Sequence, residues 1–356
     1  MLVHAWEKSS GELKDHQARV QVLINFLPSG SYNYSLVNMS SPRLSVGASY
    51  ASLTCAAMVW GGSVVAQKVA LGPFSPVETS VLRGLGALAI LIPLWRWKES
   101  TLSFAQDDWK TFLLLGLGVL GNHLLILFGL QFIGAGAAGV IIGASPAITA
   151  FLSSLLLKDL SLRVIWLGCL VSFIGVIFIS GKDAVEGVGS NPLLGGGLVI
   201  AGLVCWALYT IGCRRTMERF SPLAVTWITL AVSLFFEIPL LILNHKMLVS
   251  GVQSVPLAGW MALLYVMVFA TALGQQAWLY GVEGVGPSRA GIFGNLIPVS
   301  ALLFSFMILA EPVGFRELTG IGLIVLGVWL VDCRSREELE PMPGVHGEPV
   351  EEREIS

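Results

Sequence analysis

From Val46 onward the chain alternates between long apolar runs and short polar joints, and its charged residues are confined to the joints. Runs of ~20 apolar residues match the ~30 Å hydrocarbon core of a bilayer. The pattern predicts ten spans, at about 47–70, 76–95, 110–131, 134–157, 161–180, 194–213, 222–243, 257–281, 287–310 and 314–332. Trp95, Trp97, Trp109, Trp260 and Trp329 fall near span ends, where amphipathic rings settle at the membrane–water boundary. Residues 1–46 are polar and irregular and read as a disordered cytosolic extension. They lack the charged and apolar stretches of a cleaved signal peptide, so none is expected. Residues 333–356 form an acidic, proline-bearing tail with the composition of a disordered cytosolic segment.

The spans are written twice. Gly129, Gly134, Ala138, Gly139, Pro146, Gly168 and Gly175 reappear as Gly281, Gly286, Ala290, Gly291, Pro298, Gly320 and Gly327, an offset of 152 (281 − 129). Earlier in each copy the offset is 146: Trp60 falls on Trp206, and Phe74-Ser75-Pro76 on Phe220-Ser221-Pro222. The difference, 152 − 146 = 6 residues, places an insertion between roughly Leu241 and Trp260. A repeat this long predicts two copies of one unit, 47–181 and 193–332.

Orientation follows from Lys and Arg in the joints. Arg96, Lys98, Lys110, Lys158, Arg163, Arg214, Arg215, Arg219 and Arg289 fall on one side, against Lys68, Lys182, Lys246 and Arg316 on the other. Nine against four places the first set and both termini in the cytoplasm. Five spans per copy is an odd number, so the second copy enters the membrane upside down. The predicted fold is therefore an all-α polytopic membrane protein, ten transmembrane helices arranged as two inverted five-helix repeats. Many secondary transporters are built this way, around a site at the midplane. The plasma (inner) membrane is the expected location.

Composition sharpens the class. The chain is 54% hydrophobic and 12% charged, with mean hydropathy +0.76, against ~25% charged in a soluble domain. A net charge of −2 with no basic stripe gives no footing to nucleic acid. The lipid bilayer and a small-molecule substrate are the partners expected, and nothing in the chain specifies an oligomeric state. Cys55, Cys169, Cys205, Cys213 and Cys333 lack metal or disulfide spacing and read as small hydrophobes. There is no His-Glu-x-x-His, phosphate loop or nucleophile elbow, so neither an enzymatic activity nor a cofactor is expected.

Several of these residues resemble the EamA domain of the drug/metabolite transporter superfamily. The likeness is carried by Trp60-Gly61, by Pro76 with Arg83 seven residues on, and by the run Gly134 to Gly139, Pro146, Asp159, Gly168 and Gly175. The second copy repeats it in Gly286-Pro-Ser-Arg-Ala-Gly291, Pro298, Glu311-Pro312, Gly320 and Gly327. The resemblance covers residues 50–332 and implies ten helices that carry small organic solutes, such as amino acids or related metabolites, often outward. Asp159 stands where the family usually has glutamate, and Thr229, the repeat mate of Arg83, is not arginine.

Polar residues at membrane depth are costly unless they face protein or water, so they are the best pointers to a site. Asn122 and His123 fall near the middle of span three, and 123 + 152 gives Gln275 in span eight. Gly143 maps to Asn295, and Ser63 to Tyr209. Trp60 and Trp206 are symmetric and suited to wall a cavity. Trp60, Asn122, His123, Trp206, Tyr209, Gln275 and Asn295 are the expected substrate-binding set, and helix–helix hydrogen bonds or packing are the plainer alternative for each. His123, with an ordinary pKa of ~6.5, is also chemically suited to carry a proton. Arg83 and Glu237, at similar depth in spans two and seven, are expected to pair. Pro146 and Pro298 are expected to kink spans four and nine. Gly139 and Gly143, four apart, predict a smooth strip on span four, and Asp159 and Glu311 read as charges that end helices. A non-transporting receptor or scaffold would have no use for symmetric midplane polar residues, and a membrane enzyme would need paired catalytic groups.

Overall fold

A computed structural model describes residues 45–99, 102, 104–105, 107–133, 138, 141–157, 162–180, 190–243, 251–300, 303 and 314–337. The N-terminal extension, the acidic tail, Gly139, Asp159 and Glu311 lie outside these residues. Among those described, every regular element is helical. They are α1 (Val46–Ala70), α2 (Pro76–Lys98), α3 (Asp108–Phe132), α4 (Ser145–Leu157), α5 (Leu162–Ser180), α6 (Pro192–Thr216), α7 (Pro222–Leu241) and α8 (Leu257–Val285). There follow α9, opening at Pro287–Ile292, and α10 (Phe315–Glu337). Among the described residues six of them, α1, α2, α3, α6, α7 and α8, are long and apolar enough to cross a membrane. The protein is a multi-pass integral membrane protein.

The starts of α1, α2, α6 and α7 are set by short polar side chains that satisfy the first free N–H groups. Ser75 Oγ accepts from Glu78 N–H at 3.2 Å while the Glu78 carboxylate accepts from Ser75 N–H at 2.8 Å, with Pro76 at the first helical position. Ser221, 146 positions on, caps α7 through Ala224 N–H at 3.1 Å, again followed by proline. Ser45 caps α1, and its counterpart Asn191 (45 + 146) caps α6.

Helix ends are clamped in the same paired way. Lys68, near the end of α1, donates to the carbonyls of Leu130 and Ile133 at the end of α3. Arg214 (68 + 146), near the end of α6, donates to the Glu283 carbonyl at the end of α8. A cation against the last carbonyls of a helix satisfies orphan acceptors and the negative end of the dipole. These two clamps sit at opposite ends of the bundle. At the Lys68 end, Phe74 meets Trp260 edge-to-face and Gly195 of α6 meets Ile133. At the Arg214 end, Arg219 pairs with Asp108 at 2.5 Å, and Ser221 bonds Glu99.

Packing follows the exchange of copies. Helix α3 lies on α6 and α8 on α1; α5 lies on α10, α2 on α7, and α4 on α9. Small residues allow the close approaches that van der Waals packing in lipid requires. A Cβ on Gly175 would stand 2.6 Å from the Gly320 carbonyl oxygen, and one on Gly327 would strike Ser172. Ser172 itself donates to the Ile324 carbonyl at 3.3 Å, across 324 − 172 = 152 positions.

Among the described residues three irregularities interrupt the helices. Residues Val266–Gly274 in the middle of α8 form π-helix, while the matching part of α3 is regular. Trp109 and Trp260 align at 260 − 109 = 151, one short of the 152 that holds beyond. A π segment takes up one extra residue without breaking the helix, so one of the six inserted residues lies here and five lie before Trp260. The other two breaks correct the expectation of simple proline kinks. Gly143-Ala144 form a turn and α4 begins at Ser145, so Pro146 sits in its first turn, where a missing N–H costs nothing. Gly143 is therefore in a turn and not on a smooth helical face. In α9 the chain tightens into 3-10 helix at Phe293–Asn295 before residues 296–300 resume around Pro298.

If the α5–α10 seam depends on bare glycine faces, Gly175→Leu should cost ~1–3 kcal/mol through overpacking. The expected readout is a several-fold loss of monodisperse protein in detergent. A similar substitution at Gly322, where an added Cβ meets nothing within 4 Å, should be tolerated. Equal yields for the two variants would contradict the packing described.

Candidate functional site

The irregular segments of α4, α8 and α9 surround one cavity of about 120 Å³, bordered also by α1, α2, α3 and α6. That is room for several waters or a small solute. One wall is aromatic. Trp60 and Trp206 meet edge-to-face at 5.3 Å, and Trp278 lies 5.2 Å from Trp60 and 5.9 Å from Trp206. The Trp60 indole N–H donates to the Ala270 carbonyl at 2.8 Å, an acceptor presented by the π segment. Trp278 N–H reaches Thr210 Oγ1 at 3.4 Å.

The lining is largely repeat-symmetric. Trp60/Trp206, His123/Gln275, Ile126/Trp278, Ile142/Gly294 and Ser145/Ile297 all border it. Beyond the tryptophans the lining continues along α1 through Ser63, Val64 and Gln67, and along α3 from Asn122 to Leu130. Both directions lead toward the Lys68 end of the bundle. The opposite end is closed by Tyr209, Thr210 and the contacts of Arg214 and Arg219.

Five of the seven expected residues meet at the cavity: Trp60, Asn122, His123, Trp206 and Gln275. Among the described residues His123 has no hydrogen-bond partner, and it lines the cavity at 5% exposure. Asn122 Nδ2 donates to the Gly202 carbonyl at 3.0 Å, so it also ties α3 to α6. The other two do not line it. Tyr209 stands behind Gln275, accepting from Gln275 Nε2 at 3.2 Å and lying 3.5 Å from Thr229 Oγ1. Asn295 is fully buried in the 3-10 turn of α9, with neither side-chain polar atom hydrogen-bonded.

Arg83 is the largest difference from the sequence reading. It makes no ion pair with Glu237, although the two lie within electrostatic reach. Its Nε donates to Thr271 Oγ1 at 3.0 Å and the rest of the guanidinium borders the cavity. Glu237 instead accepts from Ser233 Oγ at 2.8 Å, one turn back on its own helix. Sequence reasoning also passed over Gln67, Ser145 and Trp278. For Trp278 the repeat arithmetic was available, since 126 + 152 points to it, but a tryptophan opposite an isoleucine does not announce a site.

Comparison with known proteins settles the family. The model of the EamA-like transporter family matches residues 47–181 and again 193–332. The chain belongs to that family. It is 30% identical over 264 residues to the uncharacterized transporter YyaM of Bacillus subtilis, covering 73% of this chain and 86% of YyaM. It is 29% identical over 294 residues to the uncharacterized transporter YetK of the same organism, covering 81% and 88%. A solved crystal structure, 19% identical, superposes with TM-score 0.69 over 83% of this chain and the whole of its own. This EamA-like chain therefore places its least regular backbone, together with the buried polar side chains of Ser63, Gln67, Arg83, His123 and Gln275, around one cavity in a membrane-embedded bundle.

The Tyr209–Gln275 contact generates a double-mutant test. Tyr209→Phe and Gln275→Leu should be non-additive in thermal unfolding of the purified protein, with a coupling of ~0.6 kcal/mol, the average for intramembrane hydrogen bonds. Strictly additive losses would mean that the two side chains do not interact.

Proposed function

We propose that this protein is a secondary transporter that moves a small organic solute across the plasma (inner) membrane by alternating access. The observation that carries the reading is the one-sided cavity: symmetric residues form its centre, yet it extends toward the Lys68 end only. Two units, 47–181 and 193–332, inserted with opposite orientation, make ten spans. The reciprocal packing of α3 on α6 and α8 on α1 supports this arrangement, as do the Lys68 and Arg214 clamps at opposite ends. Rocking one unit against the other would close the Lys68 end and open the Arg214 end, exchanging their roles. Trp60, Asn122, His123, Trp206 and Gln275 contact the solute, and Tyr209 holds Gln275 in place. With both termini cytoplasmic, the Lys68 end is extracellular and the described conformation faces outward.

His123→Leu and Gln275→Leu should each express near the parent level, because an apolar side chain is cheap inside a membrane helix. Uptake into proteoliposomes, screened with a metabolite panel, should fall tenfold or more where a hydrogen bond of ~1.4 kcal/mol to the solute is lost. Full transport by both variants would remove these residues from the site. No uptake of any solute by the parent protein would favour a receptor or scaffold.

Orientation has its own test. In a cysteine-free background, cysteines at Asn191 and Gln253 should react with an impermeant thiol reagent added to intact cells. Cysteines at Lys98 and Glu218 should react only after lysis. The reverse pattern would invert the topology.

A further inference from the structure

Resting on the transporter reading, we propose that the solute is a small organic carboxylate with an apolar body. Arg83 takes the carboxylate, and Trp60, Trp206 and Trp278 take the body. An arginine at this depth costs ~2.5–3.5 kcal/mol on insertion scales, which is recovered through an anion, backbone carbonyls or water. Yet Arg83 is 8% exposed and, among the described residues, only its Nε has a protein acceptor. Arg83 lines the cavity with neither Nη bonded to protein among the described residues, and no carboxylate of the protein lines it there. Glu237 is within electrostatic reach of Arg83 but makes no ion pair with it, its carboxylate accepting from Ser233 off the lining.

The guanidinium is also aimed. Thr271 accepts its Nε–H and in turn donates to the Val266 carbonyl at 2.7 Å, five residues back. That second bond belongs to the π geometry of α8, so the extra residue of the second copy builds the seat of the first copy's arginine. A guanidinium fixed through Nε presents its two Nη groups as a planar fork, the geometry that matches a carboxylate. His123 borders the same cavity without a protein partner, ready for a second polar group of the solute. One cation among three indoles suits a monoanion with an apolar part. A phosphate dianion would be left half neutralised.

The test is equilibrium binding to the full-length protein in nanodiscs. Matched acids and amides are compared: propionate and propionamide, benzoate and benzamide, leucine and leucinamide, with inorganic phosphate as a separate arm. At least one acid should bind tenfold or more tighter than its amide. Arg83→Gln should abolish that preference and Arg83→Lys should keep part of it. If Arg83→Gln does not fold, Thr271→Val, which releases Nε, should weaken the preferred acid several-fold while leaving its amide unchanged. No preference in any pair, a preference that survives loss of the guanidinium, or phosphate binding above every acid would each overturn the proposal. Uptake by proteoliposomes separates it from the reading beneath it. Transport of neutral solutes with no preference for acids leaves a transporter without this subsite. Arg83-dependent binding of an acid with no uptake of any solute leaves the subsite without a transporter.

Discussion

A backbone N–H or carbonyl left without a partner in hydrocarbon costs several kcal/mol, so a membrane chain tolerates irregular backbone only where protein or water can satisfy it. That constraint explains where this protein departs from regular helix. The π segment of α8, the turn at Gly143-Ala144 and the 3-10 turn at Phe293–Asn295 all abut the central cavity. Each departure does something there. The π turn turns the Ala270 carbonyl to Trp60 and brings Thr271 to Arg83. The breaks before Pro146 and Pro298 bring Ile142, Ser145, Gly294 and Ile297 to the lining as two repeat-related pairs.

The two copies share a frame and divide the labour within it. Ser63, Arg83 and His123 of the first copy all border the cavity. Their mates are Tyr209, Thr229 and Gln275. These approach one another in a chain, Thr229 beside Tyr209 and Tyr209 bonded to Gln275, and only Gln275 reaches the lining. Thr229 is further held by bonds to the carbonyls of Val225 and Thr226. One copy thus supplies open, adaptable polar groups and a charge, and the other a braced hydrogen-bonding surface. An exact symmetric pair would bring two arginines to a small cavity that, among the described residues, no carboxylate lines.

Much of this was legible in the sequence because the membrane imposes simple rules on it. Apolar run length located the helices, and self-comparison located His123 opposite Gln275 and Trp60 opposite Trp206. What stayed hidden depends on rotation about a helix axis. Arg83 and Glu237 share a depth, but depth does not say which way a side chain points, and a single inserted residue turns everything before it by about 100°. Tyr209 failed as a lining residue for a related reason: replacing a serine with a tyrosine at one repeat position fills the space that the smaller side chain leaves open. Proline marks where a helix is weak. Whether the helix bends or restarts depends on the residues before it, Gly143-Ala144 in one copy and Gly294-Asn295 in the other.

The closed end bears on how readily such a molecule can change state. Side-chain bonds span the copies there, among them Arg219 with Asp108 and Ser221 with Glu99. The Arg219 side chain is 30% exposed and that of Asp108 9%, so this pair is open to solvent on one side only. The Arg214 clamp, by contrast, joins α6 to α8 within one copy, as the Lys68 clamp joins α1 to α3 within the other. Cation–helix-end contacts therefore tie helices within each copy, while Arg219–Asp108, Ser221–Glu99 and the packing of Phe104 and Phe112 on Phe220 join the copies at the closed end. A minor state separated by only a few kcal/mol is what a ligand can select. Parting of the halves at that end would break these cross-copy contacts and leave the within-copy clamps in place.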